Sequence, residues 1–502
     1  MKGALLAFAA TACGHLGFSI SGADDDGDGG LTLPPTTYLK ASNAKSNDHF
    51  GFAVAVSADA KTVVVGAPSE SANTLLLNGA AYVFALGSAG WTEQALLRAS
   101  NSETNDVFGV AVALSDDGNT LAISAPGEGS SAVDINGNQT DNSAQNSGAV
   151  YVFARSGGAG WSLQAYVKAS NTGLGDRFGQ VLALSGDGNT LAVGANLEDS
   201  DAVGVGGIQN SENAPDSGAV YVYTRSGATW SPQAYIKATN TQGLDEFGLR
   251  LALSQDGTTL AVGAPKEDSG AVGINGNQAD NSVADAGAVY VYTIGGGGGW
   301  VSAGYIKASN PGPGDWFGGG DLRLSADGTT LVVGAKFEDS SATGIDGDQV
   351  NDAATSAGAV YVFTRAGATW TQQAYLKASN TGAQDQFGYS LALSLDGNTL
   401  AVGANAEDSA AVGIDGSEAD GAVDSGAAYL FVRSGTTWAQ QQYVKATNTD
   451  AGDSFGVGLA MNGDGRLLAV GAWSEASAAT GINGDQTDNS APQAGAGYLY
   501  AR

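Results

Sequence analysis

The chain has 502 residues, 43% of them hydrophobic, with 76 glycines and a formal net charge of −30 from 51 Asp+Glu against 21 Lys+Arg. This shortage of cations leaves no basic face to displace counterions from phosphates, which excludes nucleic acid as a partner. A single cysteine, Cys13, and two histidines, His15 and His49, exclude a disulfide framework and a Cys/His zinc site.

In chain order, residues 1–13 read as a signal segment: Lys2, an apolar run from Ala4 to Ala10, then Ala10-Thr11-Ala12-Cys13. A lone cysteine in that place resembles the lipobox of bacterial lipoproteins. The resemblance implies acylation of Cys13, export to the cell envelope and membrane attachment through the lipid alone. A secretory signal cleaved after Ser21-Gly22-Ala23 is the alternative. Residues 14–35 read as a flexible acidic, Gly/Pro-containing tether. Within it, Asp24 to Gly30 is taken as solvated chain rather than a calcium loop. No later segment approaches ~20 uninterrupted apolar residues, so no membrane span is expected in the body of the chain.

Residues 36–502 are one array. Phe-Gly pairs begin at Phe50, Phe108, Phe178, Phe247, Phe317, Phe387 and Phe455. Each unit holds a run such as FGQVLALS, a Ser-x-Asp-Gly turn, TLAVGA, a long polar segment, GAVYVY, a short RSGATW-like turn and QAYIKA. These are four short strands separated by Gly, Asp, Asn and Ser punctuation. In GAVYVY, Val220 and Val222 face one way and Tyr221 and Tyr223 the other. Both faces are apolar and need cover, which four-stranded blades stacked around an axis provide.

The ends of the array predict closure. The first element, TYLKASN at residues 37–43, matches a fourth strand, while the last, GAGYLYAR at 495–502, matches a third. The N-terminal strand therefore completes the C-terminal blade and leaves no free edge between first and last units. Six tryptophans, Trp91, Trp161, Trp230, Trp300, Trp370 and Trp438, precede strand four, and the circularised strand has none. The expected fold is an all-β, seven-bladed β-propeller with four strands per blade, as a monomer. An open solenoid is the rival, but a period near 70 residues is too long for the common solenoid repeats.

The FG..LALS.DG.TLAVGA...GAVYVY pattern resembles FG-GAP repeats, the units of the integrin alpha-subunit β-propeller and of many bacterial surface proteins. Gly-Ala-Pro itself stands at Gly66-Ala67-Pro68 and Gly263-Ala264-Pro265. The resemblance implies a non-enzymatic cell-surface or secreted recognition or adhesion module that binds a protein or glycan. It does not choose among the several roles such a ring serves. Integrin-type repeats carry a calcium loop between strands one and two. Here Ser185-Gly186-Asp187-Gly188 keeps one carboxylate and reads as a tight hairpin turn, so those calcium sites are not transferred.

The segments between strands two and three at residues 127–148, 196–218, 266–287, 336–358, 405–426 and 473–495 hold 26 Asp and Glu and two lysines. Antiparallel alternation places them on one face together with the strand four-to-one crossings, making that face long-looped and anionic. Asn-Gly and Asp-Gly steps recur in them. They offer Asp346, Asp348 and Asp352 as the first candidate calcium ligands, then Asp415, Asp420, Asp485 and Asp488. A duplicated Asn-Gly hairpin tip is the alternative. The acidic pairs Glu198-Asp199, Glu267-Asp268, Glu338-Asp339 and Glu407-Asp408 open these loops. With Trp316 and Trp473, which break the repeat pattern and could stack on sugars, they form the candidate binding face.

Asp48, Asp106, Asp176, Asp245, Asp315, Asp385 and Asp453 each lie eight residues after a Lys or Arg. The constant spacing reads as a structural pairing or turn cap rather than a cation ring at the channel mouth. An envelope scaffold and a carboxylate-based glycosidase are the other functional readings. Catalysis by a Ser-His-Asp apparatus would have to use His49.

Overall fold

The structure, a computed structural model, describes residues 36–72, 75–155 and 160–502. The expected signal segment, Cys13 and the tether lie outside the described residues. Among these residues 28 β-strands, β1–β28 in chain order, form seven four-stranded antiparallel sheets, and there is no helix. The expected seven-bladed propeller is the observed fold. Blade three, for example, runs β10 (Val181–Leu184), β11 (Thr190–Ala195), β12 (Ala219–Ser226) and β13 (Thr229–Ile236), paired in that order.

The last blade closes as the ends of the sequence indicate. β1 (Thr36–Leu39) pairs antiparallel with β28 (Ala496–Ala501), which pairs with β27 (Leu467–Ala472) and then β26 (Phe455–Met461). Tyr38 lies opposite Tyr498, with ring centroids 5.3 Å apart.

The two apolar faces of each third strand fill the space between blades. Val150 and Val152 of blade two share a buried cluster with Tyr221 and Tyr223 of blade three, while Val220 and Val222 face Tyr290 and Tyr292 of blade four. Phe178, fully buried, lies edge-on to Tyr221 and Tyr223 at 5.4 and 6.2 Å. The six tryptophans sit inside the start of strand four rather than before it. Trp230 Nε1 donates to Gln164 Oε1 of the preceding blade at 2.9 Å. A β-bulge between Val222 and Tyr223 recurs in six blades; the alternating pattern did not announce it.

Two glycines explain why the Phe-Gly and Gly-Ala words repeat. A Cβ on Gly194 would sit 2.1 Å from the Gly248 carbonyl oxygen of the next blade. One on Gly218, at φ +80°, would sit 2.0 Å from the Phe247 oxygen. Only glycine allows the backbones of neighbouring blades to approach this closely.

At the opposite end of the inner strands the blades join by backbone alone. Ala58 N donates to Asp116 O (3.0 Å), Asp116 N to Gly186 O (2.9 Å) and Gly186 N to Gln255 O (2.8 Å). Gln255 N donates to Ala326 O (3.2 Å), Ala326 N to Leu395 O (2.8 Å), Leu395 N to Gly463 O (2.9 Å) and Gly463 N back to Ala58 O (3.2 Å). The seven bonds close a circle around the axis on the face of the short turns.

Removing residues 36–40 deletes the last blade's outer strand and the partner of a buried glutamate. The expected result is a large fall in melting temperature and concentration-dependent self-association through the bared β28 edge, read by thermal unfolding and light scattering. A peptide spanning residues 34–44 added in trans should reverse both.

Candidate functional site

The acidic loop openings are not a surface. Glu198 is 1% exposed, and its carboxylate accepts four hydrogen bonds. Lys237 Nζ (2.7 Å) and Ser200 N (3.2 Å) bond Oε2; Tyr235 Oη (2.8 Å) and Asn171 Nδ2 (2.9 Å) bond Oε1. Asn171 belongs to the crossing that enters the blade, Lys237 to the end of its fourth strand.

The same lock recurs in every blade. Lys168 pairs with Glu128, Lys307 with Glu267, Lys377 with Glu338 and Lys445 with Glu407, all at 2.8–2.9 Å. Lys40 reaches across the closure to Glu475 at 2.8 Å, and Arg98 takes the lysine's place beside Glu70. Burial lowers the Lys237 ammonium from its ordinary value and Glu198 opposes that shift; burial likewise raises the Tyr235 phenol. Glu198, Glu267, Glu338 and Glu407, expected on the binding face, are therefore buried structural anions.

Of the two structural readings of the eight-residue spacing, the turn cap is observed and the pairing is not. The lysines pair with these glutamates, not with the crossing aspartates. Each crossing aspartate caps a turn instead: Asp176 Oδ2 accepts Gly173 N at 2.8 Å and Asp385 Oδ2 accepts Gly382 N at 2.8 Å. Buried at 4% exposure, Asp176 and Asp385 do not form an exposed cation ring. Desolvation pushes Asp106, Asp176, Asp245, Asp315, Asp385 and Asp453 up to about 7 and Asp48 to about 6.

Asp199, Asp268, Asp339 and Asp408 also work inside their loops. Their Oδ1 atoms accept the amides of Asp216, Asp285, Ser356 and Asp424 at 2.7–2.8 Å. The candidate calcium ligands divide by role. Asp346 and Asp415 adopt φ 53° and 54°, and their Oδ1 atoms accept Tyr375 N (2.9 Å) and Tyr443 N (3.0 Å) on the fourth strand. Asn136 and Asn275 do the same for Tyr166 and Tyr305, so the position needs an acceptor oxygen, not a charge. Asp348 and Asp485 accept the amides two residues on, from Val350 and Thr487. Asp352, Asp420 and Asp488 are exposed. Among the described residues no three Asp, Glu, His or Cys side chains gather as a metal-holding group. The loop tips lie outward, bridging the fourth strands at Ile274–Ile306 and Val205–Ile236 and covering their edges.

The inner strands enclose a central cavity of about 370 Å³. Its wall is mostly Ala, Val and Leu, with Gln180, Arg250, Gln255, Asp321, Arg323 and Tyr389 among the polar exceptions. Asp321 pairs with Arg323 at 2.7 Å, so the wall holds no free carboxylate pair of the kind glycoside hydrolysis requires. His49 Nδ1 meets Ser69 Oγ at 2.8 Å, and its other nitrogen meets the Gln493 amide at 3.4 Å, with no carboxylate in the chain of bonds. Trp473 packs on His49 and Phe52 at 5.1 and 5.4 Å, and Trp316 on Phe337 at 5.1 Å; both are partly buried. Sequence reasoning missed Arg250, Asp321, Arg323, Lys336 and Tyr389. The available signal was their departure from the small or apolar residues that most other units carry at these positions.

The family profile described as FG-GAP repeat matches residues 36–84, 91–153, 161–223, 230–292 and 370–431, more than half of the chain. The chain belongs to the FG-GAP repeat family. No curated protein matches it in sequence. Among solved structures, the chain is similar to Kuenenia stuttgartiensis hydrazine synthase at 12% identity and TM-score 0.48, over 86% of this chain and 95% of that one. It is also similar to Saccharomyces cerevisiae Sqt1 (11%, TM-score 0.44, 87% and 82%). A third is the Myceliophteria thermophila Cps50 (Swd1) beta-propeller domain (9%, TM-score 0.46, 86% and 95%).

In this FG-GAP propeller the turn between the first two strands is the expected hairpin. Asp187 Oδ1 accepts Ser185 Oγ at 2.6 Å and Asn189 N at 2.9 Å, with Gly188 at φ 67°.

Two outcomes follow from the locks. Lys237→Met should destabilise the propeller by about 3–5 kcal/mol in denaturant unfolding, because Glu198 is left buried and unpaired; adding Glu198→Leu should recover much of that loss. The crossing aspartates have folded pKa values above their unfolded ones. The stability they contribute is complete below about pH 4 and is lost as pH rises through about 7. Melting temperature should therefore be higher at pH 5 than at pH 8, and Asp245→Asn should flatten that slope.

Proposed function

We propose that this FG-GAP propeller is a non-enzymatic recognition module that binds a protein through its long-loop face. Members of the fold act as protein-interaction or scaffold modules, and the distribution of exposed apolar side chains supports the first of these. Of fifteen exposed large apolar residues among the described residues, thirteen lie on the strand two-to-three loops or the crossings. Val350 is 86% exposed and Ile208 78%, with Val412 and Val423 nearby in sequence to exposed Asp415 and Asp420. Exposed apolar groups set among carboxylates suit a partner with apolar anchors and a basic rim better than a neutral glycan. With the glutamates paired inside, the exposed loop acids supply the rim, and their role is steering rather than affinity. Lys2 to Cys13 support display of the ring outside the cell on a lipid anchor, which Cys13→Ser should abolish in a palmitate-labelling experiment.

The test immobilises the full chain and screens basic peptides, basic proteins and neutral glycans. The triple change Ile208→Asp, Val350→Asp, Val412→Asp should cost a protein binder at least tenfold in affinity. The pair Leu163→Asp, Val301→Asp on the outer strands should leave it intact. Undiminished binding by the triple variant would reject the reading, and glycan-only binding would replace it.

A further inference from the structure

The central cavity carries positive charge in a strongly acidic protein. Arg250, the first residue of β14 (Arg250–Leu253), lines it near the loop-face end. Its Nη1 donates to the Leu249 carbonyl at 3.0 Å, and among the described residues no carboxylate pairs with it. Arg323 and Asp321 cancel one another, leaving the wall with a net positive charge.

A second cation stands behind the wall. The Lys336 Nζ lies 5.0 Å from the ring centres of Tyr389 and Phe337 and 5.5 Å from Trp316, with neither a hydrogen bond nor an ion pair among the described residues. Burial, with the Arg250 charge adding to it and Glu246, itself paired with Lys266, opposing it, pushes this ammonium down to about 8. Gln180 and Tyr389 line the same space, and their side chains make no hydrogen bond to protein among the described residues. Arg250, Gln180 and Tyr389 thus line one cavity, with Lys336 beside Tyr389 behind its wall, and the circle of seven backbone bonds, with Gln255 bonded across it to Asp116, narrows the far end.

We propose that this cavity binds a small anion bearing carboxylate or phosphate groups, entering from the loop face and held by Arg250 in the field of Lys336. The loop carboxylates do not forbid entry. Their glutamates are neutralised by lysine, their tips lie outward over the fourth strands, and exposed charges are screened beyond about 8 Å at physiological salt. A cavity of about 370 Å³ falls in the size range of small-molecule sites and would exclude a folded partner. A bidentate guanidinium is the usual recognition element for either anion.

The experiment titrates the full chain with citrate, inorganic phosphate and neutral glucose at constant ionic strength. It reads calorimetric binding, melting temperature and tryptophan fluorescence, the last because Trp316 lies against Lys336. Saturable binding of citrate or phosphate, with a raised melting temperature and no response to glucose, is expected; which anion binds identifies the group recognised. Arg250→Gln should weaken binding at least tenfold, Arg250→Lys, which keeps the charge but loses the bidentate fork, should weaken it by less than Arg250→Gln, and Lys336→Met should weaken it. Arg466→Gln, an exposed cation on the turn face, should change nothing. If Arg250→Gln fails to fold, Gln180→Glu places a repelling carboxylate in the cavity and should abolish binding. No saturable response to either anion, equal binding by wild type and Arg250→Gln or Gln180→Glu, or equal loss in Arg466→Gln would overturn the proposal. None of these outcomes depends on the protein partner proposed for the loops.

Discussion

The buried ion pair between each loop-opening glutamate and the basic residue ending its fourth strand is the constraint on which the long-loop face depends. Taking both charges out of water is costly, and the cost is offset because each carboxylate accepts several hydrogen bonds besides the ion pair, three in all for Glu128 and four for Glu198. Glu198 finds its four on the fourth strand, on its own loop and on the preceding crossing. One side chain thus fixes where the loop leaves the second strand, where the outer strand ends and where the next inner strand begins. A neutral residue of the same size would fill the space without specifying those three directions.

This explains what the sequence let through and what it hid. Blade number, strand count and circular closure were legible because they follow from period-two apolar patterning and from a fourth-strand motif displaced to the N-terminus. The site was less legible. Glu198 and Asp348 carry the same charge in the same kind of loop, and local sequence does not say that one is sealed beneath Lys237 while the other faces water. The lysine in question lies 39 residues further on and its spacing to Asp245 is just as regular, so periodicity alone did not separate an ion pair from a turn cap. Repetition multiplies such coincidences. Asp346 and Asp415 read as ligands by charge and spacing, while the asparagines that accept the same amide in other blades show that the turn itself requires only an acceptor oxygen there.

Most of the residues proposed here for binding are departures from the repeat. The positions that obey it build the ring: the glycines between backbones, the tyrosine and valine faces, the locks. Those that break it cluster where the ring meets solvent. Exposed Ile208 and Val350 stand where the second blade's loop carries Asn138 and Thr140, while Arg250, Asp321, Arg323 and Lys336 occur once each, in blades four and five. A sevenfold scaffold gives symmetric support, and asymmetric chemistry is laid upon it.

The backbone circle from Ala58 through Gly463 and back has a consequence for how such a protein can change. Because its donors and acceptors run head to tail, it has no beginning and no end, and half a unit cannot be added or lost without stranding one amide and one carbonyl. Gene duplication can alter this molecule only in whole-unit steps, each requiring a circle of different circumference. Substitutions at its mouth and loops carry no such arithmetic and are free to drift.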